Sequence, residues 1–129
     1  MQFEVKKIPD LPVVLGQWFE GFKFVEHGAQ YAKEANAMLD KQEAPVFYVI
    51  DLTQLKTISV EGVVEVANSG AKNLKSSHRH PMNRETIIIS QEKIVKLAVK
   101  GASTAAFGNL RVQLFENLDE ALDYAKKNA

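Results

Sequence analysis

The chain has 129 residues, with 16 basic and 16 acidic side chains and no cysteine. This length predicts one domain, spanning residues 1–129. Zero net charge argues against a protein that coats nucleic acid, because such binding needs an excess of Lys and Arg. The lack of cysteine excludes disulfide scaffolds, thiolate metal sites and cysteine nucleophiles.

The sequence contains no pattern typical of export or membrane insertion. Residues 1–10 alternate polar and apolar side chains and do not resemble a signal peptide. No apolar stretch approaches the roughly 18 residues that a membrane span requires. We therefore expect a cytoplasmic protein with no membrane span.

The first part of the chain predicts a hairpin, a helix and a buried strand. Gln2–Ile8 alternates apolar and polar residues, and Val13–Trp18 is apolar and partly β-branched, so both are typical of strands. The Pro9–Pro12 segment between them is typical of a turn. Residues 25–42 place apolar side chains at helical spacing. Val46–Ile50 is a continuous apolar run, which indicates a strand buried on both faces.

The rest of the chain predicts strands that alternate with helices. Ser59 is positioned to cap a helix that runs to Leu74, residues 72–84 indicate a basic loop, and Thr86–Ile89 indicates a buried strand. A helix follows Ser90 and ends near Gly108.

Residues 110–114 alternate as a last strand, and Asn117 with Glu120 resembles a capping box that opens a last helix. The order ββαβαβαβα predicts an α/β fold. We expect a mixed, largely parallel sheet of four to five strands with four helices.

The motifs of common catalytic and cofactor sites are missing from the sequence. It has no nucleophile elbow, P-loop or dinucleotide fingerprint. His78 and His80 flank Arg79, but a specific metal site needs a third ligand at a known spacing, so an idle exposed loop is the favoured interpretation. We expect no catalytic residue, no metal and no cofactor, and therefore a protein that is not an enzyme.

The junction after Val46–Ile50 is the strongest candidate site. Ligands and partners of open α/β sheets gather at the carboxyl ends of strands, where Asp51 lies. A helix N-terminus in this position exposes unpaired N–H groups, which stabilise a phosphoryl group or an acidic side chain. Asp51 and Thr53 either belong to such a site or simply turn the chain, and the residues alone leave both interpretations open.

Around this junction the sequence resembles the STAS domain, the SpoIIAA-like fold of anti-sigma-factor antagonists. Asp51-Leu52-Thr53 resembles the opening of the family's motif, and Gly62-Val63 resembles its end. Leu55 and Ile58 match the apolar positions between them, and residues 115–122 resemble the start of the family's last helix. The layout is also similar to that of the STAS/SEC14-type group of small bacterial proteins.

The resemblance implies a role in protein–protein switching, with a kinase or an anti-sigma-type regulator docking near the second helix. The family's phosphorylated serine falls on Val60, which cannot be phosphorylated. The switch is then either absent or moved to Ser59, and Glu61 supplies a fixed negative charge. The implied partner-binding or switch residues are Asp51, Thr53, Thr57, Ser59, Val60, Glu61 and Gly62.

A group of aromatic residues after the second strand motivates an alternative function, that of a carrier or sensor of a small apolar ligand. The group could also form a homodimer contact, or it could cover the core, which is the favoured interpretation. Its members are Trp18, Phe19, Phe22 and Phe24.

A local excess of basic residues motivates a surface for acidic partners. Residues 66–111 carry eight basic and two acidic side chains. Such an excess is most often a solvated surface, but it also suits an acidic partner or the acidic part of a second copy. The predicted basic face consists of Lys72, Lys75, Arg79, Arg84, Lys93, Lys96 and Lys100.

Overall fold

A computed structural model describes residues 2–55, 80–102 and 112–129 of the chain. Its elements are β1 (Phe3–Lys7), β2 (Val13–Trp18), α1 (Phe24–Asp40), β3 (Val46–Asp51), β4 (Asn83–Ile89), α2 (Lys93–Ala102), β5 (Val112–Phe115) and α3 (Leu118–Lys127). The five strands form one sheet in the order β1-β2-β3-β4-β5. β1 and β2 are antiparallel, and every later pair is parallel. The predicted mixed, largely parallel sheet is therefore confirmed.

The turn between β1 and β2 explains why the two strands form a hairpin. Asp10 adopts a positive φ of 64°, a left-handed conformation that Asp tolerates better than most residues. The Lys7 ammonium donates hydrogen bonds to the carbonyls of Ile8 and Leu11, which ties the turn to the end of β1. The resulting register places Phe3 opposite Trp18 and so starts an aromatic cluster on one face of the sheet.

Two hydrophobic clusters cover the two faces of the sheet. α1 contributes Tyr31 and Leu39 to one cluster, and α2 contributes Val95 to the same cluster. α3 packs on the opposite face through Ala121 and Ala125. β3 lies between the two clusters, and all six of its residues are buried. This position explains why its sequence is continuously apolar up to the final aspartate.

The last helix begins at the predicted capping box. Asn117 Oδ1 accepts a hydrogen bond of 2.9 Å from the Glu120 backbone N–H, and Asn117 Nδ2 donates one of 2.7 Å to Glu120 Oε1. Asp119 and Glu120 lie in the first turn, and Lys126 and Lys127 lie in the last. These charges complement the helix dipole at both ends, so the end of the chain has the local sequence that a stable helix needs.

The predicted loop at residues 72–84 is wrong at its end, because Asn83 and Arg84 already belong to β4. A register shift lets Asn83 pair with Val46 of β3. The polar character of these two side chains hides the strand from a search for apolar patterns.

Part of the predicted helix content falls outside the described residues. The helix predicted from Ser59 to Leu74 lies there entirely, and the helix predicted after Ser90 is described only as far as Ala102. The described part of the chain contains three of the four predicted helices.

Candidate functional site

The carboxyl end of β3 leads into a turn that one buried carboxylate holds. Asp51 is 4% exposed. Its Oδ1 accepts hydrogen bonds from the Thr53 backbone N–H at 2.9 Å and from the Thr53 hydroxyl at 2.6 Å. Its Oδ2 accepts a longer bond, of 3.4 Å, from Gln17 at the end of β2. This segment, residues 51–55, is called the Asp51 turn below, and its first residues are fixed to the sheet.

The neighbouring strand ends in a second turn of the same kind. Ser90 follows β4 and is 1% exposed, and its Oγ accepts a hydrogen bond of 3.1 Å from the Glu92 N–H just before α2. The Ser90 N–H donates to the Phe115 carbonyl at 3.0 Å, and the Leu52 N–H donates to the Ile89 carbonyl at 2.9 Å. These bonds join the ends of β3, β4 and β5 into one edge.

The polar side chains of this edge hold the backbone in place. The Asp51 carboxylate and the Ser90 hydroxyl each accept a hydrogen bond from a backbone N–H two residues further on. Across residues 2–55, 80–102 and 112–129, no group of three or more His, Cys, Asp or Glu side chains could hold a metal ion. An edge of this kind presents an ordered backbone, which lowers the entropy lost when another molecule docks on it.

The structure brings together two of the residues that the sequence singles out. Asp51 and Thr53 form the Asp51 turn, and Thr53 itself is exposed. Both therefore turn the chain, and contact with a partner at this point stays a prediction. The remaining predicted switch residues lie outside the described residues; they are Thr57, Ser59, Val60, Glu61 and Gly62.

Two of the four predicted aromatic residues, Trp18 and Phe22, pack against Tyr31 of α1. The Trp18 and Phe22 rings stack, with centroids 4.2 Å apart and planes 19° apart, and Tyr31 meets Trp18 edge-on at 5.3 Å. Trp18 and Phe22 are buried, whereas Phe19 and Phe24 are half-buried. Trp18 and Phe22 thus lie in the core, as the favoured interpretation expects. A ligand or dimer contact at the two half-buried rings stays a prediction.

Two tyrosine hydroxyls lie inside this aromatic cluster. Tyr48 of β3 donates a hydrogen bond of 2.5 Å to the Tyr31 hydroxyl of α1. That hydroxyl lies over Gly16 of β2, where a Cβ atom would be only 2.0 Å away. Burial raises the pKa of Tyr31 well above its ordinary value, although the nearby Tyr48 hydroxyl and Trp18 indole both oppose this effect. Trp18 Nε1 approaches Tyr31 without reaching hydrogen-bond geometry, and it finds no other acceptor in the described part of the chain.

Stability at alkaline pH is expected to depend on Tyr31. The buried phenol keeps its proton, whereas unfolded tyrosines ionise at about pH 10. The contribution of Tyr31 is therefore fully present below about pH 10, and it falls by about 1.4 kcal/mol per pH unit above that value. Urea unfolding at intervals from about pH 8 to pH 11 measures the loss. Tyr31→Phe should show a shallower decline, and equal slopes for the two proteins would contradict the assignment.

The structure gives His80 a role that the sequence does not reveal. Its side chain is only 13% exposed, and Nε2 lies 2.6 Å from Asp40 Oδ1 at the end of α1. Nδ1 accepts a hydrogen bond of 3.0 Å from the Met82 N–H. The expectation of an idle exposed histidine is therefore wrong for His80, which ties α1 to the approach to β4. His78 lies outside the described residues.

The predicted basic face is wrong for one of its members. Lys93, Lys96 and Lys100 are exposed on α2, which packs on the same side of the sheet as α1. The Arg84 guanidinium lies 4.5 Å from the centre of the Phe47 ring, which belongs to the cluster under α3. The sequence could not distinguish Arg84 from the three lysines, because distance along the chain does not show on which face of the sheet a side chain lies. Lys72, Lys75 and Arg79 lie outside the described residues.

The sheet order, the hairpin and the helices on both faces define a SpoIIAA-like fold, the fold of STAS domains. A solved structure with this fold is similar over nearly the whole chain: an uncharacterised protein of the DUF3478 family from Shewanella loihica PV-4. The TM-score is 0.60 at 18% sequence identity, covering 95% of this chain and 91% of that one. At this identity the likeness establishes the fold alone.

The other comparisons give no further relative. No family model matches the sequence, and a search of the curated proteins finds no match. None of the helices within the described ranges is long and apolar enough to cross a membrane.

Proposed function

We propose that this protein is a non-catalytic protein-interaction module of the STAS type that acts in the cytoplasm. Its partner is a protein regulator, of the kinase or anti-sigma type, which docks on the Asp51 turn and the residues that follow it. Val60, Glu61 and Gly62 contact that partner, and Ser59 caps the helix that the sequence predicts there. The proposal combines the SpoIIAA-like fold with the geometry of this one edge.

The observation that carries the proposal is the buried carboxylate of Asp51. It fixes an exposed Thr53 at the point where the chain leaves the sheet. Gln54, the next residue, is also exposed. A fixed turn that displays polar side chains to solvent is suited to recognition, because little conformational freedom is lost when a partner binds.

The absence of catalysis is supported by how the polar groups of this edge are used. Asp51 and Ser90 accept hydrogen bonds from backbone N–H groups, so their oxygens already serve the fold. At the switch position, Val60 has no hydroxyl to modify. A permanent charge on Glu61 then keeps the surface in one binding state, unless Ser59 takes over the modification.

The experiment compares partner capture by two matched variants. Gln54→Arg adds bulk and charge on the Asp51 turn and leaves the Asp51–Thr53 bonds in place. Gln30→Arg makes the same change on the exposed surface of α1. The natural protein, tagged and purified from its own host, should retain a stoichiometric protein, which is then purified and titrated by calorimetry.

We expect Gln54→Arg to weaken that binding by about tenfold or more, and Gln30→Arg to leave it within about twofold. Both variants should melt close to the natural protein, because both positions are exposed. Equal affinities for the two variants, or no protein that binds at a defined stoichiometry, would overturn the proposal.

A further inference from the structure

β1 forms one outer edge of the sheet. Among residues 2–55, 80–102 and 112–129, its only strand neighbour is β2, and the two pair without a register shift. The Ile8 N–H donates to the Val13 carbonyl at 3.0 Å, and the Phe19 N–H donates to the Gln2 carbonyl at 2.8 Å. Alternate residues of an antiparallel pair turn their backbone groups to opposite sides. The even-numbered residues of β1 therefore bond to β2, and the odd-numbered ones point their N–H and C=O groups outward. These outward residues are Phe3, Val5 and Lys7.

Two opposite charges lie side by side on this edge strand. Glu4 and Lys6 are exposed, and Lys6 Nζ lies 3.4 Å from Glu4 Oε1. Phe3 and Val5 lie on the other face, where they belong to the cluster under α1. Charged side chains protect an edge strand when they meet like charges on an incoming strand. A second copy of β1 that runs antiparallel to the first brings unlike charges together instead, so these charges favour the contact.

We propose that two copies of this chain associate edge to edge through β1, as antiparallel strands related by a two-fold axis at Val5. In this register Val5 exchanges backbone hydrogen bonds with Val5 of the second copy, and Phe3 does so with Lys7 of the second copy. Every outward backbone group of β1 then has a partner, and the two sheets become one. The inference goes beyond the proposed function, because it names a second copy as a further partner and a surface separate from the Asp51 turn.

The charges and the turn favour this register over its neighbours. Glu4 lies opposite Lys6 of the second copy at a position without backbone hydrogen bonds, where opposing side chains are closest. Each charge keeps its neighbour within the strand and gains a second unlike neighbour across it. An axis at Lys7 would set the two Lys7 side chains against each other and place Val5 opposite Pro9, which has no N–H to donate. An axis at Phe3 would leave the outward groups of Lys7 without a partner strand.

Charge reversal and mixing test the register. Lys6→Glu sets acidic side chains against acidic ones at both ends of the contact, and Glu4→Lys sets basic against basic. In sedimentation velocity at low salt, the natural protein should form dimers, and each variant should associate at least about tenfold more weakly. An equimolar mixture of the two variants should again form dimers, because both cross-strand pairs become attractive.

The matched controls are Lys33→Glu and Glu34→Lys, which make the same changes of charge at exposed positions of α1. Each should dimerise like the natural protein. Thermal melting should show all four variants folded, because every changed position is exposed.

Hydrogen exchange shows which surface forms the contact. The amides of Phe3, Val5 and Lys7 should exchange slowly in the dimer and faster when dilution produces the monomer. The amides of Glu4 and Lys6 face β2 and should exchange slowly in both states.

The proposal is overturned if the natural protein is monomeric at every concentration, if a control loses association as much as its matched variant, or if the mixture stays monomeric. A dimer in which the outward amides of β1 exchange as fast as in the monomer would also overturn it, since another surface would then hold the copies together. Gln54→Arg should leave dimerisation unchanged, so failure here and failure of partner docking at the Asp51 turn are separate results.

Discussion

Replacing Gly16 by alanine is expected to lower the free energy of unfolding by about 3 kcal/mol or more. The new Cβ would lie 2.0 Å from the Tyr31 hydroxyl oxygen and 2.8 Å from its Cζ atom. The Tyr31 ring cannot move away easily, because its hydroxyl accepts a hydrogen bond from Tyr48 and its ring packs edge-on against Trp18. Urea unfolding followed by Trp18 fluorescence measures the loss.

Gly21→Ala is the matched control for this change. Gly21 has a positive φ of 92°, but the nearest atom to its added Cβ would be 3.9 Å away. Gly21→Ala should therefore lower the free energy of unfolding by only about 1 kcal/mol, from backbone strain alone. Adding Tyr31→Phe to Gly16→Ala removes the shortest contact and should recover part of the loss. If the two glycine variants are equally stable, Tyr31 does not occupy the space over Gly16.

Replacing Asp51 by alanine is expected to cost about 2–3 kcal/mol. The change removes a buried acceptor that three donors use and leaves the Thr53 N–H and the Gln17 amide without it. The Asp51 turn should then detach from β3. Urea unfolding gives the stability, and hydrogen exchange at the Thr53 amide should become much faster than in the natural protein.

Two milder changes separate the bonds of the Asp51 turn. Asp51→Asn keeps one side-chain oxygen as an acceptor, and Thr53→Val removes only the hydroxyl bond of 2.6 Å. Each should cost about 1 kcal/mol, less than Asp51→Ala. Slow exchange at Thr53 in Asp51→Ala would show that something other than the carboxylate holds this turn.

Much of the fold could be predicted because its local signals agree with its packing. The run Val46–Ile50 has no charged residue, which is what a strand between two clusters requires, and β3 is indeed buried along its length. Asn117 and Glu120 form hydrogen bonds with each other within one helical turn, so neighbouring residues alone define the start of α3. The motif around Asp51 also indicated the SpoIIAA-like fold.

The features that sequence reasoning missed depend on residues far apart in the chain. His80 meets Asp40 across forty positions, and Tyr48 meets Tyr31 from a different element. In the sequence, Gly16 is only a small residue within an apolar strand, and nothing near it indicates that the Tyr31 hydroxyl lies over it. The place of Arg84 in β4 could not be predicted for the same reason. It depends on a register shift between β3 and β4, two strands that are far apart in the sequence. No local pattern contains these pairings.

The order of the strands has a consequence for how the chain folds. Each strand pairs with the strand before it in the sequence, so the sheet can grow by one strand at a time as the chain is synthesised. The second face behaves differently, because its cover, α3, follows all five strands in the sequence. Until α3 has been synthesised, Leu15, Phe47 and Val49 form an uncovered apolar surface. The nascent chain is therefore exposed to aggregation through this face for as long as its sheet exists without α3.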